Sequence, residues 1–169
     1  MANDLFEAAG ALDPKPLKEM LSKGADPNQR TKDGEYPIQN AAYWGRTVNV
    51  LSLIQEGADI NVRSPHNLTP LHYAVQQDKH ACVDVLIKAG AELNLLDREQ
   101  QTPLHAAAYK GHADCVRLLI EAGADINIRD EDGLLAVALS ARARAWREHD
   151  QESREAERLL EEAHRAEGI

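Results

Sequence analysis

The sequence predicts an all-α repeat solenoid, made of stacked helix–turn–helix units joined by hairpin loops and closed by elongated C-terminal capping helices. Three observations predict it. GADPN, GADIN, GAELN and GADIN begin at Gly24, Gly57, Gly90 and Gly123, each 33 residues after the last. TPLH occurs at Thr69–His72 and again at Thr102–His105, with the same spacing. Two phased motifs sharing one period mark a repeat architecture. The third observation is the core material. Residues are 43% apolar but only 4% aromatic, so packing falls to Leu, Ile, Val and Ala, which suits closely approaching helices.

The elements follow in order. The first unit starts directly at a helix, DLFEAAG, without a preceding hairpin, and Leu17, Met20 and Leu21 form the apolar face of its second helix. In the second unit Tyr36-Pro37-Ile38-Gln39 stand where TPLH would, so an impaired cap is expected there. Ala41 and Ala42 then allow close approach, and Val50, Leu53 and Ile54 line the second helix. In the third and fourth units Thr69 and Thr102 are N-caps. Pro70 and Pro103 take the first helical position, where a missing N–H costs nothing. Ala74/Val75 and Ala107/Ala108 are in phase with the earlier alanines. Val83, Leu86 and Ile87, then Val116, Leu119 and Ile120, repeat the i, i+3, i+4 face. The phased glycine is expected to end each second helix in a left-handed conformation. A pair of such short helices does not bury its own apolar face, whereas stacked copies do.

The fifth unit departs from the pattern. Gly133 is in phase, but residues 135–138 contain no Thr, Pro or His. If Leu159 and Leu160 take the places of Leu119 and Ile120, about seven extra residues lie between, roughly two helical turns. Both helices of this unit are therefore expected to lengthen. The Arg- and Glu-dense segment beyond Ala141 reads as a C-terminal cap with a solvated outer face, and a partner-docking helix hairpin is its alternative.

Charge and composition narrow the function. A formal charge of −9 argues against nucleic acid and against an anionic membrane as the main partner, since phosphate binding needs clustered cations. The opening MANDLFEAAGALD lacks the basic and apolar regions of a secretory signal, and no apolar run approaches the ~20 residues of a membrane span. Two cysteines suit a reducing compartment. A cytoplasmic location is expected, and a nuclear one is compatible.

His105, His112 and Cys115 fall close together and form the one place where a metal or catalytic site is worth weighing. His105 recurs as His72 and Cys115 as Cys82, so repetition accounts for two of the three, and the spacing fits no metal pattern. Stacked helices stand about 8–10 Å apart, beyond the roughly 7 Å between Cα atoms that a disulfide spans. Two buried thiols are expected. The chain has no glycine-rich phosphate loop, no GxSxG and no HExxH. No catalytic residue, metal or cofactor is expected.

TPLHxA and GADIN at a 33-residue period resemble the ankyrin repeat family, over nearly the whole chain and most specifically in residues 69–130. The resemblance implies a single ankyrin repeat domain, 1–169, with repeats at 1–31, 32–64, 65–97 and 98–130 and an atypical cap at 131–169. It implies that the histidine of TPLH ties its turn together by local hydrogen bonds. Asn61, Asn94 and Asn127 each end a Leu-x5-Asp/Glu-apolar-Asn pattern. That pattern resembles sites of asparaginyl hydroxylation in ankyrin proteins of animal cells. The structural reading of these residues is that they bond the hairpin backbone.

The resemblance also places function on a concave face, formed by hairpin tips and the exposed side of each first helix. Carried over, these positions are Lys32, Asp33, Glu35, Tyr43 and Trp44, then Pro65, His66, Leu68, Gln76 and Gln77, then Arg98, Glu99, Gln101, Tyr109 and Lys110. Glu131, Asp132, Leu134 and Arg142 extend the strip. Trp and Tyr are the types enriched in binding hot spots. Trp44 is read as an anchor, against packing beneath its neighbouring hairpin. At roughly 10 Å per repeat, Trp44 and Tyr109 are expected about 20 Å apart. The implied function is a non-catalytic protein–protein interaction module, acting as a monomer on a protein or peptide as adaptor, inhibitor or targeting element. The alternative is a structural or self-associating subunit that uses the long C-terminal helices as its interface.

Overall fold

The computed structural model describes residues 2–146 and 151–168. Among the described residues there are ten helices and no strand: α1 (Ala2–Gly10), α2 (Lys15–Ser22), α3 (Pro37–Tyr43), α4 (Thr47–Gln55), α5 (Pro70–Gln76), α6 (His80–Lys88), α7 (Pro103–Lys110), α8 (Ala113–Glu121), α9 (Ala136–Trp146) and α10 (Gln151–Glu167). None of the described helices is long and apolar enough to cross a membrane. The chain forms two compact units, Met1–Glu92 and Leu93–Ile169.

In the first unit α3 packs between α1 and α5, while α4 packs on α3 and α6. Its interior is Leu5, Leu17, Ile38, Leu53, Leu71 and Leu86, each essentially removed from water. In the second unit α7 packs on α8 and α9, and α10 covers α8 and α9, around Leu104, Leu119 and Leu160. The apolar triplets fill the interior as their spacing predicts, with a graded edge. Val50/Leu53, Val83/Leu86 and Val116/Leu119 are fully buried, whereas Ile54, Ile87 and Ile120 are half-buried at the rim. Gly24, Gly57, Gly90 and Gly123 have φ between 84° and 90°. A Cβ at any of them would meet no atom within 4 Å, so backbone conformation alone demands glycine there.

The caps carry a second bond that the motif does not advertise. Thr102 Oγ1 lies 2.8 Å from His105 Nδ1, and His105 N–H donates back to Thr102 Oγ1 at 3.3 Å. His105 Nε2 reaches the Leu134 carbonyl at 3.2 Å, so the imidazole ties its own turn to the next hairpin. Tyr36 makes no side-chain cap, as its sequence predicts. Gln39 nevertheless stands in for the histidine: its Oε1 accepts from Tyr36 N–H at 2.9 Å, and its Nε2 donates to the Leu68 carbonyl at 2.9 Å. The cap at this position is half-made, and the bond to the next hairpin is kept.

This geometry has a pH consequence. Burial pushes His105 below its ordinary value of 6.5, against the opposing bond to Leu134. The neutral ring, with Nε2–H toward Leu134 and Nδ1 accepting, is the form that fits. A depressed folded-state value means that stability is present above about pH 6.5 and is lost as pH falls below it, because the unfolded chain then takes the proton first. The melting temperature is expected to fall between pH 7 and pH 5. His105→Gln, which copies the arrangement at Gln39, should flatten that fall while keeping most of the neutral-pH stability. An unchanged slope in the variant would remove His105 as the cause.

The asparagines form a ladder along the turns. Asp26, Asp59 and Asp125 each accept the N–H of the Asn two residues on, at 2.8 Å. Those side chains, and that of Asn94, then bond beyond their own turn. Asn28 Oδ1 accepts from Asp59 N–H at 2.8 Å, Asn61 Oδ1 from Glu92 N–H at 3.0 Å, and Asn94 Oδ1 from Asp125 N–H at 3.0 Å. The backbone they bond thus belongs to the next turn. Asn127 ends the ladder by donating to Glu167 Oε2 of α10 at 2.9 Å.

The last pair of helices lengthens on both sides. α9 has 11 residues and α10 has 17, against 8 and 9 in α7 and α8. α10 buries Ser153, Ala156, Glu157 and Leu160, and holds Arg158 between Glu155 and Glu162 on its exposed face.

Candidate interaction surface

In the first unit, α3, its C-cap Trp44 and α5 place three aromatic rings around one recess of about 290 Å³, lined by Phe6, Glu35, Gln39, Asn40, Tyr43, Trp44 and Tyr73. Tyr43 meets Trp44 edge-on, with centroids 5.2 Å apart, and meets Tyr73 edge-on at 6.2 Å. Tyr73 Oη donates to Glu35 Oε1 at 3.2 Å. Burial, as the largest cause, and the nearby carboxylate hold the Tyr73 phenol above its usual range, so it stays a donor. Trp44 is 52% exposed. Its position is nonetheless defined. A Cβ on Gly10 would come within 2.9 Å of Trp44 Cδ1 and 2.5 Å of Asn40 Nδ2, so the indole sits where only glycine lets it approach α1.

In the second unit, a recess of about 580 Å³ is lined by Glu99, Gln101, Tyr109, Asp130, Asp132, Leu139, Arg142 and Ala143. The buried Asp130 shapes the hairpin, accepting the N–H groups of Asp132 at 3.1 Å and Leu134 at 2.8 Å. Glu131 N–H reaches the Glu99 carbonyl at 3.2 Å, tying two hairpins together. Tyr109 stands 51% exposed at the rim.

The sequence-derived residues divide accordingly. Glu35, Tyr43 and Trp44 come together in one recess, and Glu99, Gln101, Tyr109, Asp132 and Arg142 in the other. Lys32, Asp33, His66, Arg98 and Lys110 are exposed, while Pro65, Leu68, Gln76 and Gln77 are half-buried, and none of these lines either recess. Phe6, Asn40, Tyr73, Asp130, Leu139 and Ala143 are additional lining residues. A signal for several of them lay in the helical period. Asn40/Tyr43, Tyr73/Gln76, Ala106/Tyr109 and Leu139/Arg142 are i, i+3 pairs on first helices, so the position one turn before each site residue shares its face. A further exposed apolar group, Leu12, Val48 and Leu51, lies around α4 and the turn after α1.

His105 and the two cysteines have structural places. His105 holds its cap, and Cys82 and Cys115 are buried and not joined in a disulfide. Burial pushes the Cys82 thiol up, against a 3.4 Å contact with Thr47 Oγ1. Among the described residues, no group of three or more His, Cys, Asp and Glu is placed to hold a metal ion.

A family model described as ankyrin repeats (3 copies) matches residues 5–97 and 48–130. No curated protein matches the chain.

Proposed function

The chain belongs to the ankyrin repeat family, and from that premise we propose that it is a non-catalytic module that binds a protein or peptide partner through the first-helix faces of its two units. Ankyrin repeats are generally protein–protein interaction modules, and the family is typically non-catalytic. One observation carries the location. Trp44 and Tyr109 are half-exposed, each beside a recess, in a chain with only 4% aromatic residues. Glu35, Tyr43, Glu99 and Gln101 complete the two faces. Lys32, Asp33, His66, Leu68, Gln76, Gln77, Arg98 and Lys110 contribute rim contacts. Whether the module serves as adaptor, inhibitor or targeting element depends on the partner. A monomeric state fits α10, whose Ala156 and Leu160 are already buried within its own unit.

The test begins with crosslinking in a native lysate and identification of the captured protein, followed by titration of that protein. Trp44→Ala with Tyr109→Ala is expected to leave folding intact and weaken binding by about 2 kcal/mol, about 30-fold. Lys23→Ala, at the exposed end of α2, should change neither property. Unfolding of the double variant would assign the rings to packing. Unchanged binding would move the site to another face, such as α10. Mass measurement at micromolar concentration checks the monomer, and a stable oligomer would favour the self-associating reading.

A further inference from the structure

The aromatic recess of the first unit has a narrower chemistry than a general binding face. Tyr43 stands at 81° to Trp44 and at 72° to Tyr73, so the rings wall the space from near-perpendicular directions. Ring faces are negative through their quadrupole and attract a cation within about 6 Å. The half-buried carboxylate of Glu35 lines the same space, and no Lys or Arg is among the described lining residues. The amide donors are turned to backbone: Gln39 Nε2 bonds the Leu68 carbonyl, and Asn40 Nδ2 that of Phe6 at 2.7 Å. An anion would find repulsion here, and a neutral apolar group would leave the carboxylate desolvated without a counter-charge.

We propose that this recess takes the ammonium head of a lysine side chain presented by the protein partner, a proposal that rests on the interaction-module reading above. Lysine fits better than arginine because the Tyr73 bond already takes one acceptor site on Glu35 Oε1 and leaves Oε2 the less encumbered oxygen, which suits a compact point charge more than a planar fork that needs both oxygens in one plane. A recess of about 290 Å³ holds a side-chain head and a few waters at roughly 30 Å³ each, not a folded element. Charge complementarity supports a basic partner segment. The chain carries a formal −9, and the recess of the second unit again sets a tyrosine, Tyr109, beside the carboxylates of Glu99, Asp130 and Asp132, with Arg142 as the one basic side chain among its described lining residues.

The full chain is titrated at matched ionic strength with lysine capped at both ends, with its Nε-acetyl form and with capped norleucine. NMR follows the Trp44 indole N–H and the Tyr43 and Tyr73 rings. Capped lysine is expected to give saturable shifts, with a Kd about ten-fold or more below those of the two neutral probes. Trp44→Ala and Glu35→Gln should each weaken lysine several-fold. The glutamine keeps an acceptor for Tyr73, so the walls persist while the charge is lost. Equal binding of the acetyl form, no saturable shift, or indifference to Glu35→Gln would overturn the proposal. If capped lysine fails to bind while the aromatic double variant still loses its captured partner, the lysine site falls and the module reading stands. Saturable lysine binding beside unchanged capture would overturn the surface reading and, with it, the assignment to a partner's lysine.

Discussion

Removal of residues 151–169 is expected to unfold or aggregate the unit Leu93–Ile169, the largest effect foreseen for any single change in this chain. α10 covers both α8 and α9, and its Ala156 and Leu160 have no exposed surface. Burying one leucine side chain contributes about 1.5–3 kcal/mol, and truncating one in a packed core costs about 2–5 kcal/mol. Losing the whole helix also uncovers one side of α8, whose Cys115, Val116 and Leu119 are fully buried. Against a typical domain stability of about 5–15 kcal/mol, that loss exceeds what one unit can absorb. Far-UV circular dichroism and urea titration of the truncated protein measure it. Retention of the full-length melting curve would identify α10 as an appendage and revive the docking-hairpin alternative. Arg158→Ala is the matched control. Its pairs with Glu155 and Glu162 lie on the exposed face, where solvent screens them, so it should leave the melting curve in place.

Asn49→Ala is expected to cost about 2–4 kcal/mol, although Asn49 belongs to no motif. Helix α1 ends without a left-handed cap, and its last carbonyls need donors. Asn49, 1% exposed in α4, supplies them: its Nδ2 lies 2.9 Å from the Ala9 carbonyl, 3.0 Å from that of Ala11 and 3.4 Å from that of Ala8. Arg46 Nε adds a bond to Gly10 O at 2.9 Å. Alanine would strand these acceptors in a buried setting and leave a small cavity. Asn49→Leu keeps most of the volume and should lose a similar amount, which separates hydrogen bonding from packing. The shift of the urea midpoint at constant m-value reads both, and a change below about 0.5 kcal/mol in either would reject the capping role. Because Phe6 and Gly10 lie on α1 beside Trp44, Asn49→Ala should also disturb the aromatic recess, visible in the Trp44 indole resonance.

Much of this was legible in the amino-acid sequence because repetition writes the same physical demand several times. A 33-residue period, a threonine–proline helix start and an i, i+3, i+4 apolar triplet are local, and each copy corroborates the others. They determined the paired helices of each repeat, the buried triplets, the left-handed glycines and the lengthening of α9 and α10. Likeness to ankyrin repeats, rather than spacing, pointed to Glu35, Tyr43 and Trp44 as one face, and the three line one recess. What tertiary structure decided was every bond or contact between residues some thirty or more positions apart. Asn61 reaching Glu92 and Gln39 standing in for histidine toward Leu68 are of this kind. So are Asn49 closing α1 and Tyr73 joining Tyr43 and Glu35 around the recess. None has a one-dimensional signature, because a side-chain donor is chosen by whichever carbonyl packing leaves unpaired, and a recess exists only once helices are set side by side. The sequence by itself determined the repeating scaffold, and its likeness to ankyrin repeats pointed to the outward side of each first helix. The tertiary structure alone decided which rings and which carboxylate meet there, because that depends on how neighbouring helices pack rather than on any residue's own local preference.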